Sequence, residues 1–195
     1  MAFSDYIQEA WKNHSTQCEK VAADFPRAAT LAITHDEINQ FVELVIHVMG
    51  EHLGKWKEGI SFLTNLKKIT SFSKNSDVGV AIKCAIAAFQ ISDEQTPDLR
   101  SFTRSEQIRI LALAATNLCD RDFKKSKRLL SQAVALAETN VEKRDPANRA
   151  IAVTSNNFAC GLEEKKSRTP EETEWMIACA EIARKYWELT KLKKE

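Results

Sequence analysis

Apolar residues recur at steps of three or four along most of this 195-residue chain, which is the spacing of an amphipathic α-helix. Glycine and proline are scarce, with five and four copies, whereas a β-sandwich needs many more turn residues. The first helix is predicted over residues 4–25, with Ser4 as its N-cap and Pro26 as its end. Its apolar stripe consists of Ile7, Trp11, His14, Cys18, Val21 and Phe25. The pattern therefore predicts an all-α fold.

Capping sequences mark the starts of the later helices. Thr34 and Glu37 form a Thr-x-x-Glu capping box, in which each side chain bonds a free backbone N–H at the other residue. The same box recurs at 103–106 and at 169–172, and an Asp-Pro pair at 145–146 is a fourth start signal. With the first helix, these signals and the apolar periodicity predict eight helices, the later ones over about 34–52, 55–70, 77–91, 103–119, 122–139, 146–164 and 169–192.

Two polar segments interrupt this helical pattern. Residues 71–77 are predicted to form a loop, and residues 91–103 a mobile connector. The connector is placed inside one domain that spans residues 1–195. The lysine-rich sequence at the end of the last predicted helix is expected to stabilise it, because the C-terminal end of a helix dipole is negative.

Charge and cysteine content exclude several classes of function. The formal net charge is +1, so neither nucleic acid nor a membrane surface is an expected partner. The start of the chain shows no signal peptide, and the densest apolar run, 41–49, is interrupted by Glu43 and His47. The five cysteines are scattered and never form CxxC, which predicts small core residues rather than a zinc or redox motif. A reduced, cytoplasmic compartment is the resulting expectation.

Two stretches of the chain repeat one pattern at a distance of 67 residues. Each has a helix, a tight turn, an aromatic residue, a small residue and then an apolar stripe on a second helix. The matched pairs are Ile46 with Leu113, Gly50 with Asn117, Trp56 with Phe123, Gly59 with Ser126, Leu63 with Leu130, and Leu66 with Ala133. The small residues Gly59 and Ser126 are expected to let the two helices of a hairpin approach closely.

This pattern resembles the tetratricopeptide repeat, whose period of 34 residues is about half of 67. Leu113 and Ala114 stand at the Leu-Gly step of the family, and Phe123 at the aromatic residue of the turn. No tryptophan opens either copy, and no proline closes one. The resemblance implies antiparallel helical hairpins stacked in a short superhelix. The alternative is an irregular orthogonal α-bundle whose hairpins share the pattern by chance.

Three asparagines are the first candidate binding residues: Asn117, Asn156 and Asn157. An amide inside a helix is a poor helix former, so it needs another role, such as a hydrogen bond between helices. The family resemblance implies a different role, in which such amides bind the backbone of an extended peptide. Arg121 and Lys124 belong to a basic run that either docks an acidic partner or RNA or forms a solvated face.

Catalytic motifs are missing from the sequence, so no enzyme and no cofactor are predicted. Glu43, His47 and Glu51 lie four residues apart, and one α-helical face could offer them to a metal. No HExxH motif accompanies them, and no metal site is predicted. His14 is interpreted as a core residue, while His35 and His52 have no evident partner.

The sequence therefore predicts a non-catalytic module that binds a peptide or helix of a partner protein. A metal protein built around His47 and a small-molecule sensor are the alternatives. The residues expected on the concave side are apolar: Leu44, Val48, Leu111 and Ala115. The last helix, with Trp175, Met176 and Trp187 on one side, is expected either to fold back across the array or to form a homodimer contact.

Overall fold

The computed structural model describes residues 2–69, 76–140, 142 and 144–190, of which residues 67–69 and 140 are described by their backbone alone. Most of the loop predicted at 71–77, and the lysine-rich end beyond Thr190, fall outside this range. The described residues form helices and no strand, so the all-α prediction is confirmed.

Ten α-helices follow one another in the described part of the chain, together with one π-turn and one 3-10 turn. Their bounds are α1 Phe3–Asn13, α2 Cys18–Ala23, α3 Phe25–Ala28, α4 His35–Val45, the π-turn Ile46–His52, α5 Trp56–Ile69, α6 Asp77–Ser92, the 3-10 turn Leu99–Ser101, α7 Arg104–Leu118, α8 Phe123–Asn140, α9 Ala147–Glu163 and α10 Pro170–Thr190.

The chain divides into two compact units, unit 1 (Met1–Pro97) and unit 2 (Asp98–Glu195). Their boundary lies inside the connector predicted at 91–103. In that segment Glu94 adopts a positive φ of 62°, and Asp98 caps the 3-10 turn. The single domain over 1–195 and the mobility of the connector stay predictions.

The predicted capping boxes are present. Glu37 N donates a hydrogen bond to Thr34 Oγ1 at 3.2 Å, and Thr34 N donates one to a carboxylate oxygen of Glu37 at 2.9 Å. The box at 103–106 has the same two bonds, and so does the box at 169–172. Lys165 and the Thr169 N–H both bond the Glu172 carboxylate and lower its pKa to about 2. These side chains satisfy helix N–H groups that have no partner within the helix.

The prediction of one helix over 4–25 is wrong, because the structure has two helices there, α1 and α2, and a third, α3, begins at Phe25. Residues 14–17 interrupt the helical run after α1. The His14 side chain bonds the Trp11 carbonyl and thereby caps the end of α1. Ser4 lies inside α1 instead of capping it, and Pro26 stands in the first turn of α3 instead of ending a helix.

Unit 1 has an apolar core to which α1, α4 and α6 contribute. Phe41, Val42 and Leu44 of α4 are fully buried there. Phe41 also stacks edge-on against Phe25, with ring centroids 5.6 Å apart, and Phe62 of α5 lies against both rings. Aromatic pairs at such distances and angles add to the stabilisation that burial provides. This core holds α1 against α4.

The two small residues of the repeated pattern do allow close approaches, but to different neighbours. Ser126 of α8 is fully buried and donates to the Ala115 carbonyl of α7 at 2.7 Å, as the hairpin interpretation expects. Gly59 of α5 instead lies against Phe89 of α6, the following helix. The expectation that Gly59 brings α5 close to the helix before it is therefore wrong.

Two further expectations concern burial. The five cysteines are all free thiols, and Cys160 is exposed, so the prediction that each cysteine is a core residue is wrong for Cys160. The four residues expected to line a concave apolar groove are buried within the chain itself: Leu44, Val48, Leu111 and Ala115.

Among the described helices, none has both the length and the hydropathy that a membrane crossing requires.

Gly59→Ala should destabilise the protein, whereas Gly161→Ala should not. A Cβ at Gly59 would lie 2.6 Å from Phe89 Cε2, and Phe89 is fully buried and cannot move away freely. We expect a loss of about 1–3 kcal/mol, as for other overpacked cores. At Gly161 in α9 nothing lies within 4 Å of the added Cβ, so alanine should stabilise the helix by up to about 1 kcal/mol. Urea unfolding of both variants measures the difference, and equal changes would contradict the close contact.

Candidate metal centre

Three histidines from two separate segments of unit 1 meet at one place. His14 follows α1, while His47 and His52 belong to the π-turn. Each offers one ring nitrogen, and these three nitrogens lie within 4.8 Å of one another. The ring centroids are 4.6 to 5.1 Å apart, and each histidine is partly exposed. We call His14, His47 and His52 the histidine cluster.

His14 reaches the cluster because α1 ends just before it. Its Nδ1 contacts the Trp11 carbonyl, one of the last carbonyls of α1, which have no helical partner. This contact fixes the imidazole at the helix end and leaves Nε2 to face away from the helix. The Trp11 ring lies beside the cluster, with its centroid 5.2 Å from that of His14 and 5.4 Å from that of His47.

The π-turn supplies the other two rings. His47 Nδ1 lies 2.7 Å from a carboxylate oxygen of Glu51, and His47 Nε2 lies 3.1 Å from His52 Nε2. Both ring nitrogens of His47 therefore have a neighbour, one acidic and one a second imidazole. The side chains of His47 and Glu51 are each 26% exposed, so their interaction is partly shielded from water.

These contacts determine where the protons lie. A carboxylate only accepts hydrogen bonds, so His47 Nδ1 carries the proton when the ring is neutral, and Nε2 then carries a lone pair. Two Nε2 lone pairs 3.1 Å apart repel each other unless His52 Nε2 is protonated or a cation lies between them. A neutral His52 that carries its proton on Nε2 satisfies this contact with an ordinary hydrogen bond, and a metal ion would take the place of that proton.

The geometry suits a metal ion bound by nitrogen. Tetrahedral Zn–N bonds of about 2.0–2.1 Å place ligand nitrogens roughly 3.3 Å apart. The His47–His52 pair, at 3.1 Å, is already close to that value, while His14 has to move inward from a separation of up to 4.8 Å. Metal-binding histidines usually donate their second ring N–H to a carboxylate or a carbonyl. His47 has such a partner in Glu51, and His14 has one in the Trp11 carbonyl.

The acid–histidine–acid set considered from the sequence does not gather here. Glu43 is exposed and outside the cluster, and Glu51 binds the far side of the His47 ring. That set assumed an α-helix through residue 51, whereas the helix changes to π geometry at Ile46. Sequence reasoning also missed His14, assigned to the core, and His52, left without a partner. The sequence held one signal for this site, which was the position of three histidines near the ends of two helices that follow each other in the chain.

The predicted binding residues lie in unit 2, and they differ in burial. Asn117 is buried in α7 with 2% of its surface exposed, whereas Asn156 and Asn157 are exposed on α9. Arg121 and Lys124 are exposed around the start of α8, and Arg121 donates to the Asn117 carbonyl at 3.3 Å. Their role in binding stays a prediction.

One groove in unit 2 includes a predicted binding residue. It lies between α9 and α10 and has a volume of about 660 Å³. Asn156 and Cys160 contribute from α9, and Met176, Arg184 and Trp187 from α10. Ile177, one of two large apolar residues that the described chain exposes, also lines it and is 53% exposed.

No protein-family model, curated protein or solved structure matches this chain. The tetratricopeptide resemblance and the superhelical stacking of hairpins therefore stay predictions.

Asn117→Ala should destabilise the protein, and Asn157→Ala should have little effect on stability. A buried amide leaves its bonded neighbours without partners when it is removed, which costs about 1–3 kcal/mol. Asn157 is exposed in the neighbouring helix α9 and serves as the matched control. Thermal and urea unfolding measure both changes. A stable Asn117→Ala variant would contradict a structural role for this amide.

Proposed function

We propose that unit 1 binds one divalent transition-metal ion through His14, His47 and His52. The observation that carries the proposal is the convergence of three imidazoles, two of which have Nδ1 held by an acceptor. That arrangement directs a lone pair of His14 and of His47 away from their partners. The proposed function is binding, and it includes no reaction.

The ligand set favours a metal of intermediate softness. Neutral imidazole suits Zn²⁺, Cu²⁺ and Ni²⁺, whereas Mg²⁺ and Ca²⁺ prefer oxygen ligands. Three protein ligands leave a fourth position of a tetrahedral ion for water or another small donor. The partial exposure of all three histidines gives the ion a path from solvent.

Metal bound to this cluster would also stabilise unit 1. The ligands come from two segments, and the unfolded chain does not hold them together. A ligand that binds only the folded state stabilises it by about 2.7 kcal/mol at a free concentration 100 times its dissociation constant. Zinc should therefore raise the unfolding temperature of the protein, and EDTA should reverse the change.

Untagged protein should bind one Zn²⁺ per chain, and His14→Ala, His47→Ala and His52→Ala should each weaken that binding by at least about tenfold. Loss of a contact that only orients a ligand already costs 10–100-fold, and loss of a ligand should cost no less. Isothermal titration calorimetry gives the affinity, and native mass spectrometry gives the number of ions.

The fourth histidine provides the matched control. His35 is exposed at the start of α4 and lies outside the histidine cluster, so His35→Ala should bind zinc as the unaltered protein does. Circular dichroism checks that each variant keeps its helices. Equal losses in all four variants, or no zinc binding by the unaltered protein, would refute the proposed site.

A second candidate function is self-association through α10. It is supported by Ile177, which is exposed in the groove between α9 and α10. The occupant we propose is a second copy of the chain, because the same face carries opposite charges one turn apart. Glu181 and Arg184 both line the groove. A two-fold axis between antiparallel copies of α10 would pair Glu181 of each with Arg184 of the other.

Ile177→Glu should shift a dimer to monomer, while Ile33→Glu should leave the mass unchanged. A carboxylate at residue 177 would have to lose water inside the interface, which is unfavourable. Ile33 is the matched control because it is 82% exposed and belongs to unit 1. Light scattering coupled to gel filtration, over a range of concentrations, measures the mass. A monomeric unaltered protein would refute this candidate.

A further inference from the structure

The spacing of His47 and His52 requires a departure from α-helical geometry. In an α-helix of 3.6 residues per turn, side chains five residues apart point roughly 140° away from each other. In a π-helix each N–H bonds the carbonyl five residues earlier, so a turn holds more than four residues, and the residues four and five positions on both lie close to the first. The 3.1 Å between His47 Nε2 and His52 Nε2 thus depends on the π-turn.

The π-turn is closed by specific backbone bonds. Leu53 N donates to the Val48 carbonyl at 3.0 Å, which is the five-residue bond of this geometry. Lys55 N donates to the Met49 carbonyl at 2.9 Å, and the indole N–H of Trp56 donates to the Gly50 carbonyl at 3.1 Å. These bonds satisfy carbonyls that a regular α-helix would pair differently.

The widened turn places two functional neighbours around one ring. Glu51, four residues after His47, reaches Nδ1, and His52, five residues after it, reaches Nε2. Glu51 and His52, which are consecutive in the chain, therefore contact opposite edges of the His47 ring. Glu51 fixes the tautomer, and His52 contributes the second nitrogen.

We propose that the π-turn is the positioning element of the metal site, with Glu51 as a positioning residue, and that bound metal in turn stabilises the π-turn. The proposal rests on the function proposed for the histidine cluster and adds a structural cause for its affinity. Because His47 and His52 converge only while the turn holds its π geometry, metal and turn are thermodynamically linked.

A register swap tests the geometry. The double variant Glu51→His with His52→Glu keeps the composition and moves the second histidine from five to four residues after His47. In an α-helix that spacing puts both rings on one face, so zinc would bind as tightly as before or more tightly. In the π-turn, residue 51 lies at the Nδ1 edge of His47, and we expect binding at least tenfold weaker. Unchanged or tighter binding would overturn the proposal.

Single changes at Glu51 test its positioning role. Glu51→Ala removes the acceptor at His47 Nδ1 and should weaken zinc binding by about 10–100-fold. Glu51→Gln keeps an oxygen acceptor and should recover part of that loss. A merely structural role would lower the unfolding temperature of both metal-free variants without this difference in affinity. Equal affinity of the alanine and glutamine variants would overturn the positioning role.

Hydrogen exchange tests the linkage in the unaltered protein. Saturating zinc should slow exchange of the Leu53 and Lys55 amides, because their bonds close the π-turn. The Asp122 amide, bonded to the Leu118 carbonyl at 2.8 Å in unit 2, is the control and should not change. Zinc binding without added protection at Leu53 and Lys55 would overturn the linkage alone. Failure of the unaltered protein to bind zinc would overturn the proposed function as well.

Discussion

The packing of α1 against α4 is the constraint on which the histidine cluster depends. The two helices share the apolar core of unit 1, and His14 and His47 lie just beyond their C-terminal ends, with ring centroids 4.9 Å apart. Burial of the core side chains fixes the distance, and the local bonds of each histidine fix its direction.

Helix content and most helix starts could be predicted from the sequence, because they depend on local interactions. The box at Thr34 and Glu37 involves residues three apart, and it forms as the spacing requires. The break after α1 could not be predicted in this way. His14 fits the apolar stripe by position, but its ring instead bonds the Trp11 carbonyl and helps to end the helix.

The candidate site was beyond sequence reasoning for a related reason. Periodicity arguments assume 3.6 residues per turn, and they correctly place Glu51 near His47 while placing His52 on another side. The π geometry brings both residues to the same ring. The approach of His14 is a tertiary contact between residues 33 positions apart in sequence. No local pattern encodes that contact, so only the folded chain reveals it.

The π-turn also has a genetic consequence. Its carbonyls bond N–H groups five residues on, so it holds one residue more than the α-helical turns that precede it. Loss of a single codon within it would let the backbone return to α-helical bonding, and the later residues would keep their directions about the helix axis. Loss of a codon at an ordinary α-helical position would instead rotate every later residue of that helix by about 100°. One-residue deletions should therefore disturb the fold less in this turn than in α4, although a deletion between His47 and Glu51 would change which residues reach the two edges of the His47 ring.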